Sequence, residues 1–266
     1  MKKSFVLGAI GGGFMAKAII EGAVKSGFLS PREIVVSEPD GEKREYFSRL
    51  GIDAVTDNRM VADVSDYLLL SVKPQNYSAV ASEIKDANVS VIISIMAGKT
   101  KQSIGRALGG FDRIARVMPN LPSSIGMGAS GVSAENLSSE AHRFVVGLFS
   151  SVGKVTEVTE SQMNAVTGIS GSGPAYVFLF LKALVSAGIA QGLSEDQARS
   201  LAVQTLKGGA EMADSSPCGF SDLIAAVSSK GGTTVAALEQ FSRCGFEECV
   251  RQSVAAAVRR AEELAE

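Results

Sequence analysis

A glycine-rich segment near the N-terminus places the strongest constraint on the fold. The apolar run from Ser4 to Ile10 leads directly into Gly11-Gly12-Gly13, and helical spacing follows. In a strand-turn-helix unit of this kind, Gly11 allows the tight turn, Gly13 lets the backbone approach a pyrophosphate, and Ala16 permits close helix packing. The segment therefore predicts a dinucleotide-binding turn with its anion at the helix N-terminus. The alternative is a glycine-rich turn that only reverses the chain.

Up to about residue 158, short apolar runs alternate with helical segments. Leu68-Leu69-Leu70 is apolar at every position, which is typical of a strand buried on both faces of a parallel sheet. The predicted strands are Ser4 to Ile10, Glu33 to Ser37, Tyr67 to Val72, Ser90 to Ile95, Arg113 to Met118 and Lys154 to Val158, and the predicted helices are Met15 to Ser26, Gly41 to Leu50 and Lys101 to Leu108. The pattern predicts an α/β fold with an N-terminal Rossmann-type doubly wound sheet.

From about Glu160 the pattern changes to long helical segments. They run over 175–192, 194–213, 221–228, 234–241 and 246–266. We therefore expect a dinucleotide-binding Rossmann domain over residues 1–160 and an all-helical C-terminal domain over residues 161–266. An apolar stripe on the final helix, from Val250 to Ala261, favours burial against a second copy, so we expect a homodimer or a larger assembly.

The charge, histidine and cysteine content of the chain argues against several classes of partner and catalytic site. Lys and Arg together number 26 against 28 Asp and Glu, and the formal net charge of −2 makes nucleic acid an unlikely partner. The single histidine, His142, lies in what reads as a surface helix, and three cysteines form no metal-type spacing. Ser-His-Asp and metal catalysis are both poorly supported, which leaves a bound cofactor as the source of chemistry.

Neither of two apolar segments is predicted to be a membrane anchor or a secretory signal. The run from Phe5 to Ile10 breaks at three glycines and continues into a charged helix. The stretch from Ala175 to Ala190 contains Lys182 and falls short of the ~20 residues of a spanning helix. We expect a cytoplasmic protein that does not engage a membrane.

The end of the second predicted strand bears on the choice of cofactor. Glu38 could accept hydrogen bonds from a ribose 2'-hydroxyl, which would favour NAD. Ser37, or Lys43 and Arg44, could instead accommodate the 2'-phosphate of NADP. Both cofactors stay open, and the alternative for Glu38 is a solvated turn residue.

Loops after three further strands predict the nicotinamide half of the site, because ligands in open α/β sheets bind outside the carboxyl ends of strands. They are Ser71 to Pro74, Ser94 to Gly98, and the Pro119-Asn120 pair, whose amide could bond the carboxamide. Taken singly, each loop could be an ordinary turn.

A loop in the helical half predicts a carboxylate site. Ser228 to Thr234 precedes a helix, so its backbone N–H groups and the hydroxyls of Ser229, Thr233 and Thr234 could cradle a small carboxylate. The alternative is that Thr233 or Thr234 is an ordinary helix N-cap.

Five segments together resemble one family. They are Ile10 to Ala16, Val72 to Gln75, Arg116 to Asn120, Gly168 to Tyr176 and Ser229 to Thr234. In this order, behind a Rossmann half, they are similar to pyrroline-5-carboxylate reductase over essentially the whole length. Phe14, Leu121 and Lys230 depart from the residues common there, which are Asn, Thr and Pro.

The resemblance implies reduction of 1-pyrroline-5-carboxylate to L-proline by NADPH or NADH, the final step of proline biosynthesis. It implies a homodimer with interleaved helical domains, with decamers in several members. The substrate would be bound by Ser229, Gly232, Thr233 and Thr234, with Thr234 as the catalytic candidate at the ring nitrogen. The cofactor-binding candidates are Ile10, Gly11, Gly12, Gly13, Phe14, Met15, Ser37, Glu38, Asn58, Ser71, Val72, Lys73, Pro74, Ala97 and Asn120.

Two other functions are weighed against it. A β-hydroxyacid dehydrogenase shares the domain plan but needs a catalytic lysine, and neither Lys182 nor Lys207 lies in that family's Gly-x-x-x-Lys setting. A non-catalytic dinucleotide sensor would not need the loop Gly231-Gly232-Thr233-Thr234.

Overall fold

The computed structural model of the chain describes residues 5–264 and contains one eight-stranded sheet. The strands are β1 (Phe5–Ile10), β2 (Ile34–Ser37), β3 (Asp53–Val55), β4 (Ser65–Leu70), β5 (Val91–Ser94), β6 (Ile114–Met118), β7 (Gly128–Ser133) and β8 (Gly153–Glu157). Their order is β3-β2-β1-β4-β5-β6-β7-β8. Neighbouring strands from β3 to β6 are parallel. The chain adds β2 and β3 on one side of β1 and then β4, β5 and β6 on the other side, as in a doubly wound sheet.

The prediction of a Rossmann-type α/β fold is confirmed, with two strands that the pattern did not indicate. β3 has only three residues, and β7 consists of small residues with a single valine, so neither carries a strong strand signal. β7 runs antiparallel to β6, with Val132 opposite Val117, and it pairs in parallel with β8. Predicted strand residue Ser4 lies outside the described residues.

Six helices cover the two faces of the sheet. They are α1 (Phe14–Lys25), α2 (Gly41–Arg49), α3 (Asn58–Asp63), α4 (Tyr77–Ile84), α5 (Lys101–Ala107) and α6 (Ser139–Ser150). Side chains alternate along each strand, so Leu69 packs in one core cluster with Ile19 and Phe149, while Leu68 and Leu70 pack in the other. This alternation explains why β4 is apolar at successive positions.

The remaining helices follow in the C-terminal half. They are α7 (Met163–Val166), α8 (Gly173–Ala190), α9 (Glu195–Ser215), α10 (Phe220–Ala226), α11 (Thr233–Arg243) and α12 (Phe246–Glu263). Internal contacts divide the chain into one unit of residues 1–172 and 257–266 and a second unit of residues 173–256. The predicted boundary at 160 coincides with the start of the helical segment Glu160–Ala190, and the contact boundary lies twelve residues later. Predicted helix residues 265 and 266 lie outside the described part.

The second unit has little core of its own. Among its residues the buried apolar side chains are Ala198 and Ala202, whereas many large apolar side chains are exposed. The most exposed of them are Phe178, Leu179, Leu201, Met212, Phe220 and Val227, at 56–76% of their full accessible area. A surface this apolar is typical of an interface with another molecule.

Within residues 5–264, one helical segment, Glu160–Ala190, is long and apolar enough to cross a membrane by length and composition. The predicted stretch, which began at Ala175, underestimates the length of this segment. The helical segment begins fifteen residues earlier, with a 3-10 turn, α7 and a π-turn that precede α8. A single such helix is weak support for a membrane span, because a helix that packs against protein can have the same composition.

Candidate functional site

The turn after β1 has a backbone that only glycine can adopt easily. Gly11 has φ of +95°, and a Cβ at this position would lie 2.7 Å from the carbonyl oxygen of Ser71. The Gly11 N–H donates to the carbonyl of Ser37 at 2.8 Å, and the Ser71 N–H donates to that of Ile10 at 3.0 Å. The turn is thereby held between the ends of β2 and β4.

Gly13 leaves open space at the N-terminus of α1. It is the N-cap residue, with extended backbone and no side-chain cap, and a Cβ there would meet no atom within 4 Å. By contrast, a Cβ at Gly12 would lie 2.7 Å from the Phe47 ring. The protein's own packing therefore explains glycine at positions 11 and 12 but not at 13, and the open space there is suited to an anion at the helix N-terminus.

Glu38 lies directly after β2 and is turned toward the glycine turn. Only 5% of the residue is exposed, and its Oε2 accepts the Gly12 N–H at 2.7 Å while Oε1 accepts the Asp40 N–H at 3.1 Å. The alternative that Glu38 is a solvated turn residue is therefore wrong.

Ser37 and Asn58 connect the ends of β2 and β3. The Ser37 hydroxyl donates to Asn58 Oδ1 at 2.7 Å, and Asn58 Nδ2 donates to Glu83 Oε2 at 2.7 Å. Asn58 is the first residue of α3, directly behind its N-cap Asp57. Glu83 was not among the sequence candidates, because it lies on α4 and no local motif marks it.

The loops after β4 and β5 complete this edge of the sheet. Ser71 and Val72 follow β4, and Pro74 begins a 3-10 turn whose N-cap is Lys73. Ala97 is exposed beside Gly98, which has φ of +76° and whose Cβ would lie 2.6 Å from the carbonyl of Leu264. No sequence pattern indicated this contact with the residue that follows α12.

The side chain of Asn120 is buried and hydrogen-bonded to other parts of the chain. It is 8% exposed, its Oδ1 accepts the Ala129 N–H at 2.9 Å, and its Nδ2 donates to the Ser170 carbonyl at 3.1 Å. The amide therefore joins the end of β6 to β7 and to the π-turn of residues 167–171. One N–H and one lone pair of the amide remain for a ligand, and contact with a cofactor stays a prediction.

The structure brings all fifteen predicted cofactor residues to one edge of the sheet. Ile10 ends β1, and Gly11, Gly12, Gly13, Phe14 and Met15 follow it; Ser37 ends β2, and Glu38 follows it; Asn58 follows β3; Ser71, Val72, Lys73 and Pro74 follow β4; Ala97 follows β5; and Asn120 follows β6. Because these strands are parallel, their carboxyl ends lie together, which is where open α/β sheets bind ligands.

A buried arginine adds a feature that the motif did not explain. Arg116 on β6 is 5% exposed, and its Nη1 lies 3.8 Å from Glu160 Oε1. Burial lowers the pKa of the guanidinium, and Glu160 opposes that change. The same Glu160 oxygen accepts the Lys101 N–H at 2.6 Å, so it joins the start of α5 to β6.

In the second unit, the predicted carboxylate loop precedes α11. The N-cap of α11 is Gly232, which has no side-chain cap, so the alternative that Thr233 or Thr234 caps the helix is wrong. A Cβ at Gly232 would collide with Ser229 Oγ, and Gly231 has φ of +72°. Ser229 and Thr233 are exposed and Thr234 is half-buried. The arrangement presents uncapped N–H groups beside hydroxyls, which suits a carboxylate.

Comparison with known proteins identifies relatives of both halves. The family model described as pyrroline-5-carboxylate reductase dimerisation matches residues 160–264, and the model described as NADP oxidoreductase coenzyme F420-dependent matches residues 6–98. A pyrroline-5-carboxylate reductase from Synechocystis is 39% identical over 264 residues, which are 98% of each chain. One from Pisum sativum is 36% identical over 99% of this chain and 97% of its own.

Solved structures give the same result. A pyrroline-5-carboxylate reductase from Coxiella burnetii superposes with a TM-score of 0.93 at 34% identity over 99% of both chains. A pyrroline carboxylate reductase from Plasmodium falciparum, solved with NADP bound, superposes with a TM-score of 0.88 at 28% identity over 99% of both chains. The chain belongs to the pyrroline-5-carboxylate reductase family.

Proposed function

We propose that the protein reduces 1-pyrroline-5-carboxylate to L-proline with NADPH or NADH, the final step of proline biosynthesis. The observation that carries the proposal is the relationship to reductases of this name over almost the entire length of both chains. The bound nicotinamide cofactor supplies the hydride. The substrate C=N carbon gains that hydride and its nitrogen gains a proton, so the products are proline and the oxidised cofactor.

The residues of the first unit would hold and orient the cofactor. The N-terminus of α1 and the open space at Gly13 favour a pyrophosphate, and Ala97 is an exposed small residue after β5. No acidic side chain lies in the first turn of α1 itself. Positioning of this kind can supply a large part of the rate enhancement.

The loop before α11 would hold the substrate. The Gly232 N–H already donates to the Ser229 carbonyl at 2.9 Å, which holds the loop closed. The backbone N–H of Thr233, with the Ser229 hydroxyl, would bind the carboxylate. Thr234 would donate a hydrogen bond at the ring nitrogen, with the proton coming from water. Since a threonine hydroxyl is a weak acid, its contribution is orientation and polarisation rather than full proton transfer.

The test is to measure the oxidation of NADPH and, separately, of NADH by the purified protein with 1-pyrroline-5-carboxylate. The loss of absorbance of the reduced nicotinamide reports the reaction. We expect turnover, and a Thr234→Ala variant with kcat/KM about 10- to 150-fold lower but not zero, since one hydrogen bond to a charged group contributes about 1.5–3 kcal/mol. The matched control is Thr156→Ala, at an exposed strand position in the first unit. An unchanged kcat/KM in Thr234→Ala would reject that residue's role, and turnover of a hydroxy acid instead would favour the dehydrogenase alternative.

We further infer a homodimer formed by the helical unit. Its exposed apolar side chains lie in the segment matched by the dimerisation model, and Val250 is among them at 45% exposure. Decamers are the further assembly expected from the resemblance. Light scattering during size exclusion would give two or ten chain masses, and a monomer would contradict both.

We propose a cytoplasmic location without a membrane. The three cysteines, Cys218, Cys244 and Cys249, are free thiols on the surface of the single chain, as a reducing compartment would keep them. Burial of Glu160–Ala190 by a second copy would account for its apolar composition. Fractionation of cells should find the protein with soluble enzymes, and recovery in the membrane pellet would contradict this.

A further inference from the structure

The carboxylate of Glu38 is fixed beside the phosphate-binding turn. The hydrogen bonds from Gly12 N–H and Asp40 N–H engage both of its oxygens, and the residue is 95% buried. A surface side chain could swing away from a ligand, but this one would lose both bonds and leave the Gly12 N–H without its partner. The Glu38 carboxylate is therefore held in place at the end of β2.

The two basic side chains nearest this carboxylate are already engaged. Lys43 Nζ lies 3.6 Å from Glu38 Oε1 and 3.7 Å from Asp40 Oδ2. Arg44 Nη1 donates to the carbonyls of Glu38 and Pro39 at 2.8 and 2.7 Å. These were the candidate partners for a 2'-phosphate, and their positive charge is already shared with the Glu38 and Asp40 carboxylates and with two backbone carbonyls.

The polar residues on the other side add no positive charge. The Ser37 hydroxyl is directed to Asn58, and the Asn58 amide donates to Glu83. The hydroxyl and the amide group that a phosphate would recruit are thus turned toward acceptors within the chain. Glu83 is a second carboxylate in this network.

A ribose with a free 2'-hydroxyl suits these groups better than one with a 2'-phosphate. A carboxylate accepts a hydrogen bond from a hydroxyl but repels a phosphate, which carries up to two negative charges near neutral pH. At contact distance the Glu38 carboxylate would repel the phosphate about as strongly as Lys43 would attract it, and Lys43 is also shared with the Asp40 carboxylate.

We propose that Glu38 makes the enzyme select NADH over NADPH. This proposal depends on one part of the proposed function, which is that the glycine turn binds a reduced nicotinamide cofactor. The fixed carboxylate excludes the 2'-phosphate, and the engaged Lys43 and Arg44 do not compensate for it. The relative from Plasmodium falciparum was solved with NADP bound. We therefore propose the preference for NADH for this chain alone, on the basis of its own residues.

The first measurement is direct binding, which needs no substrate. Titration of the protein with NADH and with NADPH, followed by the fluorescence of the reduced nicotinamide, should give a Kd at least tenfold lower for NADH. Turnover with 1-pyrroline-5-carboxylate should show the same ratio in kcat/KM. If the binding ratio holds but no turnover occurs, the proposed substrate is wrong and the selectivity stands.

A matched pair of variants assigns the selectivity to Glu38. Glu38→Gln removes the charge and keeps an oxygen that can accept the Gly12 N–H, so the Kd for NADPH should fall at least tenfold while that for NADH changes less than threefold. Glu45→Gln removes the same charge from an exposed position on α2 and should leave the ratio unchanged. Circular dichroism confirms that each variant is folded.

Two results would overturn the proposal. A wild-type protein that binds NADPH as tightly as NADH, or more tightly, contradicts it whether or not Glu38→Gln folds. A folded Glu38→Gln variant with the wild-type ratio would show that another residue selects the cofactor.

Discussion

The open space at Gly13 predicts a variant that separates folding from cofactor binding. Gly13 has φ of −71° and a Cβ there would meet no atom within 4 Å, so Gly13→Ala introduces neither backbone strain nor a clash within the protein. Loss of an N-cap glycine costs about 0.5 kcal/mol. The free energy of unfolding should therefore change by less than about 1 kcal/mol.

Cofactor binding should suffer much more in the same variant. If a pyrophosphate occupies this space, the added methyl moves it away from a backbone N–H, and one charge-assisted hydrogen bond contributes about 1.5–3 kcal/mol. That loss corresponds to a Kd about 10- to 150-fold higher for NADH and NADPH alike. The fluorescence titration gives the Kd, and urea unfolding gives the stability.

Gly11→Ala is the contrasting variant. Its φ of +95° and the 2.7 Å approach to the Ser71 carbonyl mean that alanine strains the turn itself, by about 1–2 kcal/mol before any clash. Gly11→Ala should lower stability, whereas Gly13→Ala should not. A Gly13→Ala protein that binds cofactor like the wild type would refute the assignment of this space to the pyrophosphate.

Two further predictions concern residues around the site. Asn120→Ala removes two partly buried hydrogen bonds, one to the Ala129 N–H and one to the Ser170 carbonyl, so stability should fall by about 2–3 kcal/mol in urea unfolding; a loss below about 0.5 kcal/mol would show that the amide does not join these segments. Burial tends to raise the pKa of Glu135, but hydrogen bonds from Lys101 and Ser133 outweigh it and lower that pKa from 4.5 to about 2. The stability from this depressed pKa is complete above pH 4.5 and disappears as the pH falls toward 2, and since the Glu135 side chain is 56% exposed it amounts to about 1 kcal/mol. Glu135→Gln should therefore be less stable than wild type at pH 7 and equal to it near pH 2, and a difference that does not depend on pH would contradict the assignment.

The sequence predicted the parts of the fold whose signal is local. α2 is preceded by an N-cap aspartate, Asp40, that accepts two backbone N–H groups. β1 is almost entirely apolar and β4 ends in three leucines, so the positions of these elements were found to within a few residues. β7, Gly-Ala-Ser-Gly-Val-Ser, has no such signal, because its place in the sheet is set by its neighbours β6 and β8.

The candidate site divides in the same way. The glycine turn and the strand ends could be placed from sequence, because parallel strands bring their carboxyl ends to one edge. The partners of Asn120 and Glu38 could not, since Ser170 is fifty residues from Asn120 and Gly12 is twenty-six from Glu38. Whether a polar side chain faces a ligand or the protein depends on such long-range pairs, which no local pattern encodes.

The return of residues 257–264 to the first unit has a consequence for biosynthesis. A ribosome makes all of residues 173–256 before it makes the segment that brings Leu264 against Gly98, beside the exposed Ala97. The first unit is therefore incomplete while the apolar helices of the second are already being synthesised. During that interval the chain carries both an unfinished cofactor site and uncovered apolar surface, which is the period in which a nascent protein is most prone to aggregate and most in need of a chaperone.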